Sequence, residues 1–465
     1  MDSTLTQNLL VAIQQMSSDQ AASQFIDEIR NQQPVNLFLF ISELLLQKTI
    51  DIKIVSNCVL IMTLILKPTI IRPLSAIQAE FQSLDSLKSI TLIKQAVIRC
   101  LMYPDKRIRL IGAHCLAFIT QIELKQSRTS DIFTHLEQLF LNQDNAYGQW
   151  APIGAISAMH EIITEIKLRK RSMIYQQASR IVITSCLTIM QVEIDPELKI
   201  ESLRCLKKAI ILFIDSIKEE SVYQRILTLI VSNLPVDNDE YHQQLLSLLG
   251  TFLTKIYSYL TTDVIGNIFT ALLPDIASGN PNRQLHTIQL CSKIARFETK
   301  LLEEGNIVVE KSYTNIIEAN FNTVFLQIIA NSNFTDLYDA ESTWLTPRAS
   351  LDALIDFCGI FPQGVFEDCS KFYSEFINAE KPNIRLAALC ALQVISTIDS
   401  EQSIELLRSQ MPTIFELCRN KDDLVRLGAF STINECLLHK SEIFIPANYP
   451  PIIEIVQFGL TIDIL

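Results

Sequence analysis

Three stretches of this chain copy one another: Pro104-Asp-Lys-Arg-Ile-Arg-Leu-Ile-Gly-Ala113, Lys381-Pro-Asn-Ile-Arg-Leu-Ala-Ala388 and Lys421-Asp-Asp-Leu-Val-Arg-Leu-Gly-Ala429. Each opens with a polar turn, continues with an apolar residue and an arginine, and then places small and apolar residues at helical spacing. Arg385 and Arg426 stand 41 residues apart. Weaker copies occur at Ile52-Lys53, Leu198-Lys199-Ile200 and Pro347-Arg348. A period of this length marks a two-helix repeat and constrains the fold more than any other feature of the chain. Within 384–395, Ile384, Ala387, Ala388, Ala391 and Ile395 recur at steps of three and four, as the buried face of a helix requires. One hairpin of two such helices would leave an apolar stripe in water, so neighbouring hairpins stack and share a continuous core.

The prediction is an all-α fold: a right-handed α-solenoid of HEAT-type helical hairpins, an armadillo-like superhelix with about nine to ten helical pairs. Proline punctuates the pattern at Pro104, Pro196, Pro235, Pro281, Pro382 and Pro412, each read as a turn or a first helical turn. Residues 1–75 are expected to form an N-terminal domain of the first repeats, and residues 76–465 the rest of the array. One interval breaks the period. From Pro281-Asn282-Arg283 to Pro347-Arg348 is roughly one and a half repeat lengths. The surplus includes Asn331-Ser-Asn-Phe-Thr-Asp-Leu-Tyr-Asp-Ala-Glu-Ser-Thr-Trp344, an acidic insertion around 331–344 with one of only two tryptophans. Long loops inside a tight array are functional or disordered.

Composition narrows the class. Only 11 glycines and an apolar content of 48% favour helices over sheets. The mean hydropathy of +0.24 raises the question of a membrane. The longest apolar stretch, Val55 to Leu66, contains Ser56, Asn57 and Thr63 and stops at Lys67-Pro68, short of the roughly 20 apolar residues a spanning helix needs. Asp2 to Asn8 carries no basic residue and opens no signal peptide, so a soluble intracellular chain is expected. A net charge of −12 disfavours nucleic acid, which needs a basic face, and suits basic partners. The 11 cysteines are scattered singly from Cys58 to Cys436 with no C-x-x-C pair, and read as buried small hydrophobes in a reducing compartment.

No catalytic constellation is visible, so no enzyme activity, cofactor or metal is expected. Neither G-x-G-x-x-G nor G-x-x-x-x-G-K-[ST] occurs. His160-Glu161-Ile162-Ile163 begins as a zinc-protease helix does, but Thr164 stands where the second ligand belongs. The run Lys167-Leu-Arg-Lys-Arg171 reads as a solvated helix end rather than a localisation signal or phosphate patch.

Along essentially its whole length the chain resembles the N-terminal half of importin beta. The closest stretch is Gln410-Met-Pro-Thr-Ile-Phe-Glu-Leu417, then Asp423-Leu-Val-Arg426, then Ala447-Asn-Tyr-Pro-Pro-Ile-Ile453 leading to Phe458-Gly-Leu460. These are similar to the family's eighth to tenth repeats in order and spacing. Leu285-His-Thr-Ile-Gln-Leu-Cys-Ser-Lys-Ile-Ala295 precedes the acidic insertion as its counterpart does in the family. Leu9 to Leu66 resembles the family's N-terminal domain, with Phe25, Leu37, Leu44 and Val55 to Leu66 as its apolar ladder.

The resemblance implies a nuclear import receptor moving between cytoplasm and nucleus through the nuclear pore. It implies Ran-GTP on the inner surface of the N-terminal repeats, Phe-Gly nucleoporins on the outer face near repeats five and six, and a basic cargo or importin alpha-like adaptor. The insertion is expected to hold Ran or a basic segment through Asp336, Asp339 and Glu341, with Trp344 gripping the stem of a basic helix. The family carries a dense aspartate run there, so weaker electrostatic capture is expected of this loop. Ile183, Thr184, Leu187 and Ile226 match the nucleoporin pocket in character, with Arg225 at a phenylalanine position and Val222 at an acidic one. The chain ends at Ile462-Asp-Ile-Leu465, where the family continues for about as long again, so full engagement of the adaptor is expected to need a further half. A generic HEAT-repeat scaffold and a truncated importin paralogue without cargo binding are the alternative readings.

Overall fold

The computed structural model describes residues 3–47, 50–68, 72–83, 87–125, 131–142, 145–165, 172–192, 195–235, 237–307, 312, 314–332, 345–444 and 449–461. Among them the protein is all-α, with 23 α-helices and no strand. They pack as two compact units, Met1–Asn233 and Leu234–Leu465.

In each unit the hairpins lie side by side, so that their first helices form one row and their second helices another. In the first unit the second-helix row runs Ile52–Leu66, Lys106–Lys125, Ala151–Glu165 and Pro196–Leu212, each packed on the next. Its first-helix row includes Pro34–Leu45, Leu87–Leu101, Ile132–Leu141, Met173–Gln191 and Glu220–Ser232. In the second unit Asp239–Ile256, Pro281–Glu303, Thr346–Cys358, Pro382–Ser396 and Asp423–His439 form the second-helix row. Thr262–Ala277, Thr314–Ala330, Pro362–Phe376 and Glu401–Leu417 belong to the first-helix row.

Local chemistry starts these helices where they start. Asp51, Ser172, Asp195, Asn238, Asn280, Ser400 and Asp422 each sit at an N-cap and accept from a backbone N–H of the first turn. Pro196, Pro281, Pro362 and Pro382 follow within the first two helical positions, where a missing N–H costs nothing. Two prolines depart from this pattern. Pro412, expected at a turn, lies inside Glu401–Leu417, and Pro274 lies inside Thr262–Ala277. Pro412 is exposed, so the carbonyl it leaves unpaired one turn back can turn to water while Leu407, Met411 and Ile414 keep the helix on the core.

The repeated arginine has a definite task. Arg109 Nη1 donates to the carbonyls of Tyr103 and Pro104, at 2.9 and 2.6 Å. Arg426 Nη1 donates to those of Asn420 and Lys421, at 2.8 and 3.1 Å. In both turns the side chain reaches back to the fifth and sixth residues before it, satisfying carbonyls of the turn that follows the preceding helix. Arg109 is almost fully buried, lies 5.0 Å from the Trp150 ring centroid and reaches Glu197 at 3.2 Å. These contacts disperse the charge of a cation held out of water.

The repeat period reappears as hydrogen bonds between neighbouring hairpins. Asn57 to the Ile13 carbonyl, Gln177 to Thr134 and Asn233 to the Met190 carbonyl span 44, 43 and 43 residues in the first unit. Asn280 to Asp239, Lys440 to Asp399 and Thr432 to the Leu389 carbonyl span 41, 41 and 43 in the second. Small residues let the rows close up. Ala387, Ala388 and Ala391 are fully buried, as is Ile395, whereas Ile384, in the first turn, is half-buried. Leu37 and Leu44 of the N-terminal apolar ladder are buried and Phe25 is half-buried. At Gly154 a Cβ would lie 2.0 Å from the Leu101 carbonyl oxygen, so only glycine admits that approach.

Candidate partner-binding surfaces

The over-long interval is visible in the contacts that cross it. Arg296 Nε donates to both oxygens of Asp356, at 2.9 and 2.8 Å, across 60 residues. Thr346 Oγ1 donates to the Pro281 carbonyl at 3.0 Å across 65. These bonds join successive second helices, as the Thr432 bond to the Leu389 carbonyl does across 43 residues, so the insertion adds residues without breaking the row. The helix Thr314–Ala330, which precedes the insertion, is seated by Glu298, which is fully buried. Tyr257 Oη donates to Glu298 Oε1 at 2.5 Å. Oε2 accepts from Ser312 Oγ at 2.5 Å, the Thr314 amide at 2.9 Å and the Thr314 hydroxyl. A buried carboxylate satisfied by four donors fixes the entry of Thr314–Ala330 over Pro281–Glu303. Asp336, Asp339, Glu341 and Trp344 lie outside the described residues, as do Lys167 to Arg171.

Ile183, Thr184 and Leu187 stand on Met173–Gln191 and Ile226 on Glu220–Ser232, two helices that pack together. Ile183, Leu187 and Ile226 are 7%, 2% and 0% exposed, and Thr184 is open to solvent. Arg225 Nη2 lies 3.5 Å from Gln191 Oε1 over the same seam, beside half-buried Val222. The seam is thus closed here: three of the four side chains form interhelical core, and an aromatic side chain could enter only if the helices part.

Sequence reasoning passed over a polar track on the second-helix row of the first unit. His114 Nδ1 lies 2.9 Å from Glu161, and His160 Nδ1 3.1 Å from Glu201, whose other oxygen faces Arg204 at 3.6 Å. The track joins Lys106–Lys125, Ala151–Glu165 and Pro196–Leu212. The Glu161 hydrogen bond holds the His114 imidazole above its usual pKa. Burial pushes the Glu201 carboxyl up, but the hydrogen bond and charge of His160, with Arg204 and Lys106, outweigh it and hold the group below the carboxylate range. The 41-residue spacing of His160 and Glu201, equal to the repeat period, was the signal available in the sequence. On the same row Leu60 and Leu64, one helical turn apart on Ile52–Leu66, are 41% and 42% exposed. Lys53 and Lys67 are exposed at the two ends of that helix.

His160 therefore has a carboxylate partner, and among the described residues no group of three histidine, cysteine or acidic side chains could hold a metal ion. All eleven cysteines are free, ten buried and Cys358 half-buried. Burial pushes the Cys58, Cys115 and Cys436 thiols up to about 12, which leaves them inert as nucleophiles. Among the described residues no helix is long and apolar enough to cross a membrane.

The fold and these surfaces define a HEAT-type helical array with an interrupted repeat. Comparison with solved structures gives it a closer description. Kap95p, which is yeast importin beta, solved with RanGDP, superposes with a TM-score of 0.83 at 14% identity, over 100% of this chain and 54% of that one. The Kap95:Nup1 complex gives 0.82 at 14% identity, over 99% and 54%. A mutant of Kap121p gives 0.54 at 13% identity, over 100% and 48%. The chain has an importin beta-like fold, and it spans about half the length of the solved receptors it matches. No protein-family model matches the chain, and no curated protein sequence does.

Proposed function

We propose that the protein is a nuclear transport receptor of the importin beta type, working by binding and flexing rather than by chemistry. The observation that carries this reading is the likeness to importin beta along the whole chain, far closer than the likeness to the karyopherin Kap121p. A generic scaffold would need neither that register nor an interruption at Arg296–Asp356. Ran-GTP docks, in this reading, on the second-helix row of the first unit. Leu60 and Leu64 supply exposed apolar area there, and the His114-to-Arg204 track supplies polar contacts. The insertion holds a basic partner segment through Asp336, Asp339 and Glu341, with Trp344 as anchor. Phe-Gly nucleoporins enter the seam at Ile183, Thr184, Leu187 and Ile226 when its helices part. The receptor passes between cytoplasm and nucleus.

The test is a pull-down of the folded chain with Ran locked in its GTP form, Ran-GDP, and a Phe-Gly repeat segment. Retention of Ran-GTP over Ran-GDP together with the Phe-Gly segment supports the reading. Retention of neither, by a chain whose circular dichroism is helical, leaves a generic HEAT scaffold. Ran-GTP retained without the Phe-Gly segment overturns only the seam.

A further inference from the structure

The basic run Lys167-Leu-Arg-Lys-Arg171 plays no part in the surfaces described so far, and in the sequence it leads directly into Ser172. No other serine or threonine of the chain follows three consecutive basic residues.

Ser172 is the N-cap of Met173–Gln191, with φ −69° and ψ 155°. Its backbone is thus already extended, the form in which a peptide lies along an enzyme groove. Its Oγ accepts from the Tyr175 amide at 3.1 Å and donates to no group among the described residues. Met173, which follows, is 86% exposed, and Ile174 is half-buried. The first buried anchor of the helix is Tyr175, whose hydroxyl donates to the Leu212 carbonyl at 3.0 Å. Opening the first turn as far as Ile174 therefore presents the serine without disturbing the core.

Other hydroxyls lack this combination. Ser75, Thr228 and Thr299 also have an arginine three positions before them. Arg72 and Arg296 are held by Glu80 and Asp356, and Thr228 and Thr299 lie inside helices with their hydroxyls on backbone carbonyls. Ser400 caps a helix as Ser172 does, but Asp399 and Glu401 flank it.

The charge of the run acts on the helix as well. Cations oppose the positive end of a helix dipole, and here Lys167, Arg169, Lys170 and Arg171 all precede the cap within five residues. A phosphate on Ser172 brings a charge of about −2 to that end. Its oxygens can take over the Tyr175 amide, as anions do at helix N-termini.

We propose that Ser172 is a phosphorylation site for an arginine-directed protein kinase, and that the phosphate strengthens the start of Met173–Gln191. The γ-phosphoryl group of ATP passes to Ser172 Oγ. The bond from Pγ to the ADP oxygen breaks as the Oγ–P bond forms, and the hydroxyl proton goes to the kinase's catalytic carboxylate. The proposal does not depend on Ran or nucleoporin binding.

The experiment incubates the full chain with ATP and either an arginine-directed or an acid-directed serine kinase, and locates the phosphate by mass spectrometry. The arginine-directed kinase is expected to modify Ser172, and the acid-directed one to leave it untouched. Arg169→Ala with Arg171→Ala should lower kcat/KM at Ser172 at least tenfold in a chain of unchanged circular dichroism. Phosphorylation should slow amide hydrogen exchange at Ile174 and Tyr175 several-fold. No phosphate at Ser172, equal modification by the acid-directed kinase, or an undiminished rate on the arginine double variant would each overturn the site. Unchanged or faster exchange in the phosphorylated chain would overturn the strengthening of the helix.

Discussion

Arg296 grips Asp356 through both carboxylate oxygens although 60 residues separate them, about 20 more than separate bonded neighbours elsewhere in the array. The second-helix row is therefore continuous from Pro281–Glu303 to Thr346–Cys358. Charge reversal at Asp336, Asp339 and Glu341 should leave urea unfolding within about 0.5 kcal/mol of the parent chain. It should weaken a basic partner peptide in a way that fades at high salt. Unchanged affinity at low salt would make the insertion a spacer only.

Glu298 anchors the hairpin that carries the insertion. Glu298→Gln keeps its size but turns an NH₂ toward a cluster of donors, and should cost about 3 kcal/mol in urea unfolding. A loss under about 1 kcal/mol would mean that the four donors find other partners.

Gly154 tests the packing of the rows. Gly154→Ala places a methyl against backbone rather than a flexible side chain, so it should destabilise the chain by about 3 kcal/mol despite alanine's better helix propensity. A neutral or stabilising effect would contradict the close approach to Leu101.

Much of this architecture was legible beforehand, for reasons the contacts make plain. The 41-residue step between Arg385 and Arg426 is the spacing of the interhairpin hydrogen bonds, and Arg109 and Arg426 recur because each turn has loose carbonyls to satisfy. What escaped the sequence depends on register between helices. Ile183, Leu187 and Ile226 look alike whether they line an open pocket or a closed seam, and only packing places them in the core. Pro412 reads as a turn until its exposed side of the helix is known.

The His114–Glu161 pair makes part of the stability pH-dependent. Because the folded pKa of His114 is raised above 6.5, its contribution is fully present below pH 6.5 and is lost as pH rises through the folded value. Thermal melting from pH 6 to pH 9 should show a fall in this window that His114→Gln reduces. An identical profile in the variant would remove His114 as its source.

Titration of the full chain with GTP-locked Ran and with Ran-GDP, repeated on Leu60→Glu/Leu64→Glu, tests directly whether the protein is a transport receptor. The GTP form is expected to bind at least tenfold tighter than the GDP form, and the folded double variant to lose at least tenfold in affinity. No binding of Ran-GTP by the folded chain, or equal binding of both nucleotide forms, would contradict it.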